Sequence, residues 1–209
     1  MSNEDDRNGG GDGNARGDDG RRGEPGDRRP APQLGLERWL RAEETGGASV
    51  YALLDAARGQ RVFEAVRWSA RPQAPLYRGA LPPEIERVAP YLVELGGDHA
   101  FTRRVLEEGW GQSWGCFLVA GVDLKTLRQH LQSLLRVRTE DGRALLFRFY
   151  DPRVLRVYLP TCTRQELKVF FGPIRRFLVE DDGGRAALTF EPSHGEVQVI
   201  RRELAQPGA

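Results

Sequence analysis

The sequence predicts a single α/β domain with a mixed, partly parallel sheet flanked by helices. A disordered N-terminal tail precedes it and a hairpin closes it at the C-terminal end. Three observations carry this. Short apolar runs of strand length alternate with segments of helical spacing from Ser49 to Phe171. Helix starts are marked by capping residues at Asp123, at Asp151-Pro152 and at Thr163 with Glu166 three residues on. Residues Met1 to Gln33 contain no Val, Ile, Leu or aromatic side chain, so they bury too little apolar surface to offset the entropy of ordering them. The boundaries follow: 1–33 tail, 34–180 α/β domain, 181–209 C-terminal hairpin or strand extension and tail.

The domain opens with a short helix, "LGLERWLRAEE", whose Leu36, Trp39 and Leu40 share a face. "SVYALLDAA" is a buried strand, "RVFEAVRWS" a helix with Val62 and Val66 four apart, and "APLYRGA" a short strand or extended loop. "APYLVEL" is a strand ending in the turn Gly96-Gly97, and Asp98 caps the helix "HAFTRRVLEEGW". "SWGCFLVAG" is the next strand. Asp123 caps "LKTLRQHLQSLLRVR", in which Leu124, Leu127, Leu131 and Leu134 recur at helical spacing. After Asp141-Gly142 comes the strand "ALLFRFY", then a short helix from Pro152 stopped by Pro160 and a second, "RQELKVFFG", ended by Gly172-Pro173. "RRFLVEDDGGRAALTFEP" reads as a hairpin and "EVQVIRREL" as a last strand.

Lys+Arg is 31 and Asp+Glu 30, a net charge of +1, so no bulk field draws the chain to nucleic acid or acidic lipid. No apolar run reaches membrane-spanning length, and the acidic, glycine-rich N-terminal segment does not resemble a signal peptide. Cys116 and Cys162 have no Cys or His at metal-ligand spacing. The expectation is a cytoplasmic protein with no metal and no cofactor.

Two motifs suggest chemistry. "GQSWG", Gly111 to Gly115, matches the G-x-S-x-G nucleophile elbow, and Asp151 and His194 follow in the order of a hydrolase triad. An elbow needs a strand before the serine and a helix after it. Here the order is reversed, which favours a helix-to-strand turn whose glycines let Trp110 and Trp114 pack closely. A serine hydrolase using Ser113 is the alternative function. The second motif is "LLFRFYDPR", where aromatics interleave with arginine, as on sheets that stack bases. Leu145 continues the face of Phe147 and Phe149, which makes that face core. Arg148, on the other face with Leu146 and Tyr150, then needs a carboxylate, for which Asp151 and Glu94 are candidates.

Five stretches together resemble one family: "YALLDAA", "PYLVEL", "EEGWGQSWGCFL", "LRQHLQSLLRVRTEDGRALLFRFYDPRVLRVYLPT" and "FFGPIRRFLVE". In order and spacing they are similar to the domain of unknown function found in effector adaptor/chaperone proteins of the bacterial type VI secretion system, over roughly Ser49 to Glu180. The resemblance implies a non-enzymatic protein that binds a cognate effector toxin and helps to load it onto the VgrG spike protein. It implies no catalytic residue and no cofactor. Longer relatives carry an extra C-terminal lobe that helps to choose the effector, and this chain has only a short extension there. On this reading Arg148, Asp151 and Arg153 form a polar cluster at a strand end, with Trp110, Trp114 and Tyr150 as aromatic anchors beside it. The other reading has Arg148 and Asp151 pairing with each other to fix a strand–helix corner.

Overall fold

The computed structural model of the chain describes residues 31–45, 47–96, 99–138 and 141–204. Most of the expected tail, and the expected cap at Asp98, lie outside these residues. Helix α1 (Ala31–Thr45) begins three residues earlier than the sequence pattern suggested, and its Leu36 and Leu40 are buried.

One seven-stranded sheet organises the domain, in the order β2-β3-β1-β4-β7-β8-β9. The strands are β1 (Ser49–Asp55), β2 (Gln73–Pro75), β3 (Pro90–Glu94), β4 (Gly115–Ala120), β7 (Ile174–Glu180), β8 (Ala186–Ser193) and β9 (Glu196–Glu203). Every neighbouring pair is antiparallel, so the expected partly parallel sheet is corrected. The pairing pattern explains the misreading. Helix α2 (Gln60–Arg67) does connect two strands of like direction, β1 and β2, but β3 lies between them. Likewise β3 and β4 run the same way, joined by α4 (His99–Arg104) and the π-helical turn Val105–Gly109, and β1 lies between them. Helical crossovers are present, yet among the described residues no two parallel strands touch.

Helices cover both faces of the sheet. Alternate residues of β1 divide the core: Val50, Ala52 and Leu54 meet α1, α2 and the π turn, while Tyr51 and Leu53 face the opposite layer. That layer is built from α5 (Leu124–Leu134), α6 (Pro152–Tyr158) and α7 (Arg164–Phe171), through Leu127, Leu131, Leu155, Leu167 and Phe170. A single turn, α3 (Pro83–Glu86), leads into β3. Three capping expectations hold. Asp123 accepts the Thr126 N–H at 2.7 Å, Asp151 accepts the Arg153 N–H at 3.0 Å, and Thr163 with Glu166 forms a reciprocal capping box.

Two expectations fail around α5. The helix stops at Leu134, and Arg136–Arg138 forms strand β5, paired with β6 (Ala144–Leu146) in a separate two-stranded ribbon. The expected strand "ALLFRFY" therefore ends at Leu146. Phe149 and Tyr150 are both fully buried in the same cluster although adjacent in sequence, which one face of a pleated strand does not permit. Leu145 does not continue the core face of Phe147 and Phe149: it and Leu146 are each 50% exposed on the ribbon. No described helix is long and apolar enough to cross a membrane.

Candidate functional site

The sequence-predicted residues converge on one end of the sheet, where β1 ends, β4 begins and β7 ends. Close backbone approach builds this corner. A Cβ on Gly115 would lie 2.0 Å from the Leu53 carbonyl oxygen, and one on Gly109 would lie 2.9 Å from the Trp114 ring. Of the glycines expected to admit the tryptophans, Gly109 does so, whereas Gly115 admits the β1 backbone and Gly111 lies nearest Gly184. The Asp55 N–H donates to the Trp114 carbonyl at 2.8 Å, extending the β1–β4 ladder by one bond.

Three carboxylates are buried in the corner, and each is held differently. Asp55 accepts the Ala57 N–H at 3.1 Å and the guanidinium of Arg148. Asp151 accepts both arms of Arg153, at 2.9 and 2.6 Å, besides the cap bond. Glu180 takes the N–H groups of Gly111 (2.5 Å) and Ser113 (2.8 Å) and the Ser113 hydroxyl (3.1 Å). Arg156 donates to the Glu180 carbonyl at 2.8 Å and lies 3.6 Å from the Asp182 carboxylate. Trp110 Nε1 donates to the Gly184 carbonyl at 2.9 Å, and Arg58 reaches the Gln112 carbonyl at 3.3 Å. The G-W-G-Q-S-W-G segment is thus a loop wrapped around the Glu180 carboxylate, with Ser113 at φ 54°.

The electrostatics follow the contacts. Burial pushes the Glu180 carboxyl above its usual range, opposed by the hydrogen bonds from Gly111 and Ser113. Burial acts the same way on Asp151, but the hydrogen bonds and charge of Arg153 outweigh it and hold this carboxyl below its usual range. Burial raises the Tyr150 hydroxyl, reinforced by neighbouring Tyr77. Burial likewise drives the Cys116 thiol far up, as expected of an inert core cysteine.

The placement corrects several assignments. Arg148 pairs with Asp55, not with Asp151 or Glu94, and its side chain is 43% exposed rather than buried. Asp151 pairs with Arg153. Trp114 and Tyr150 are buried, so neither offers a face to a partner; Trp110 is half-buried and stacked on Phe117. The residues named for a hydrolase triad do not assemble. Ser113 is bonded to Glu180, Asp151 to Arg153, and His194, in the β8–β9 turn, to Ser193. Among the described residues no cluster of His, Cys, Asp and Glu has metal-binding geometry, and both cysteines are free.

What reaches solvent at the corner is arginine over buried acid: Arg148 and Arg153 present guanidinium surface while Asp55 and Asp151 lie beneath. Sequence reasoning missed Asp55 and Glu180, whose partners are distant in the chain. It also missed Trp68, at the end of α2 and 80% exposed. A signal for Trp68 was present: it falls two residues after Val66, well off the Val62–Val66 stripe.

Apolar surface is open on both sides of the sheet. On the α5–α7 side a groove of about 340 Å³ has Phe147, Tyr158 and Phe170 in its floor and Val137 and Val169 at its rim. On the α2 side a groove of about 470 Å³ is lined by Phe63, Trp68 and Val88.

No curated protein and no solved structure matches the chain. A family profile described as Domain of unknown function (DUF4123) matches residues 50–168, from β1 to the middle of α7. The match spans the corner's GWGQSWG loop, Arg148, Asp151 and Arg153 and covers more than half of the sequence, so the chain belongs to the DUF4123 family.

Proposed function

We propose that the protein is an adaptor/chaperone of a type VI secretion system, binding a cognate effector and assisting its loading onto the VgrG spike protein, without chemistry of its own. The observation that supports this most is the pair of apolar grooves on opposite sides of one sheet. An adaptor has to hold two proteins at once, and two separated apolar surfaces are what a bridging protein needs. The choice of partners in this proposal rests on the resemblance of the Ser49–Glu180 region. The corner fits a structural part in this reading: hydrogen bonds to Glu180 hold the GWGQSWG loop, and the Asp151–Arg153 pair holds the start of α6.

The test is affinity purification of the tagged full-length protein from native cell lysate, with mass spectrometry of what is retained. A toxin-like protein and a spike protein are expected together. Purified, the three should co-elute as one complex from a sizing column, and Ser113→Ala should leave that complex intact. Retention of neither partner overturns the reading.

A further inference from the structure

Trp68 is the most exposed large apolar side chain among the described residues, at 80%. It follows the last turn of α2, whose other face buries Val62, Ala65 and Val66 in the core, so its exposure is not a fault of the helix's packing. Beside it the α2–α3 groove offers Phe63 and Val88. Three ionised side chains also line the groove: Arg67, Arg87 and Glu64. Glu64 accepts the Gln60 amide at 2.6 Å. Neither Arg67 nor Arg87 forms an ion pair among the described residues, whereas Arg148 and Arg153 at the corner each have a buried carboxylate. The groove therefore combines an aromatic anchor, an apolar floor and two arginines that form no ion pair among the described residues.

Resting on the adaptor reading, we infer that this groove captures an acidic segment of a partner protein, seating one apolar side chain against Phe63, Trp68 and Val88 while Asp or Glu residues on either side pair with Arg67 and Arg87. Arginine and tryptophan are the residue types that concentrate binding energy in interfaces. Arginine's planar fork suits carboxylates bidentately. Because Trp68 and both arginines are exposed, replacing them spares the core, and loss of binding is separable from loss of fold.

The probes are short labelled peptides with one Phe or Leu between Asp and Glu residues, the same peptides with Lys for the acids, the same with Ala for the apolar residue, and a labelled oligouridylate. They are titrated by fluorescence anisotropy into the full-length protein. The acidic apolar peptides should bind about tenfold or more tighter than either control peptide. Trp68→Ala should weaken them by about tenfold at an unchanged melting temperature. The double charge reversal Arg67→Glu, Arg87→Glu should invert the preference toward the lysine peptides. Equal binding of acidic and lysine peptides, an unmoved preference after charge reversal, or tighter binding of the oligouridylate overturns the inference. The same variants separate it from the adaptor reading. If they still retain both partners from lysate, the groove assignment falls and the adaptor stands. If the peptides behave as expected but no spike or toxin is retained by the wild-type protein, the groove stands and the adaptor reading falls.

Discussion

Asp55 ends β1 with its carboxylate 1% exposed, and the cation that neutralises it, Arg148, lies 93 residues further along the chain. Spacing in the sequence points to Asp151 as the partner because it is near; tertiary pairing across this separation leaves no local mark. Arg148→Ala would leave a buried carboxylate with the Ala57 N–H as its remaining bond. The expected cost is roughly 1–3 kcal/mol, below that of a fully buried pair because the guanidinium is partly solvated. Urea denaturation of the variant measures it, and an unchanged midpoint would mean that solvent already screens Asp55. Asp151 was legible as a cap, and Asp151→Ala should cost roughly 0.5–2 kcal/mol at neutral pH. Its folded pKa is lowered, so its contribution is present above the usual carboxylate range and is lost as pH falls through the folded value. The gap between wild type and Asp151→Ala should therefore close in acid, as thermal melts over a pH series will show. Glu180 carries the opposite sign: its raised pKa means that ionising it opposes folding, and its share of stability falls as pH rises from the usual glutamate range through the folded value.

Helix starts were readable because their signal is local: a side chain two or three residues from the N–H it accepts. Strand length was not. The alternation from Leu145 through Phe149 looks like one long strand, but whether it stays in a sheet depends on a partner strand. Among the described residues its one partner is the short β5, while the aromatics turn inward to Phe170 and Tyr158, with ring centroids 5.6 Å apart for Phe149–Phe170 and 4.7 Å for Phe147–Tyr158. Leu131→Ala in α5 and Phe149→Ala should each cost about 2–5 kcal/mol, since both side chains are fully buried. The β1–β4 pair makes a sharper test. Gly115→Ala puts a methyl against backbone, not against a side chain that can swing away. It should cost about 3 kcal/mol and lower the melting temperature more than any alanine on the exposed face of α7; a neutral effect would mean that the ladder can spread at Leu53.

At the scale of the molecule, alternation of strands and helices correctly announced a sheet with a helical layer on each face. It misled about strand direction, because direction depends on which strands are neighbours, and β1 comes to lie between β3 and β4 only through long-range pairing. Amide hydrogen exchange should follow the same order. Protection should be greatest in β1 and β4, central and covered on both faces, and least in β9, a solvated edge whose residues are nearly all exposed. Slow exchange in β9 instead would show that its free edge is covered in solution. The order of the strands also bears on synthesis. Phe117 in β4 meets Leu178 in β7, and between them the chain makes all of α5, the β5–β6 ribbon, α6 and α7. At a translation rate of about 5–20 residues per second, β4 leaves the ribosome roughly 3–12 s before the strand that will cover its edge. During that interval β1, β3 and β4 can already pair, but the row of Cys116, Leu118 and Ala120 faces solvent and the β4 edge is open to any extended chain nearby. A nascent chain arrested before Ile174 should therefore be a client of ribosome-associated chaperones, and one released after Glu180 should not.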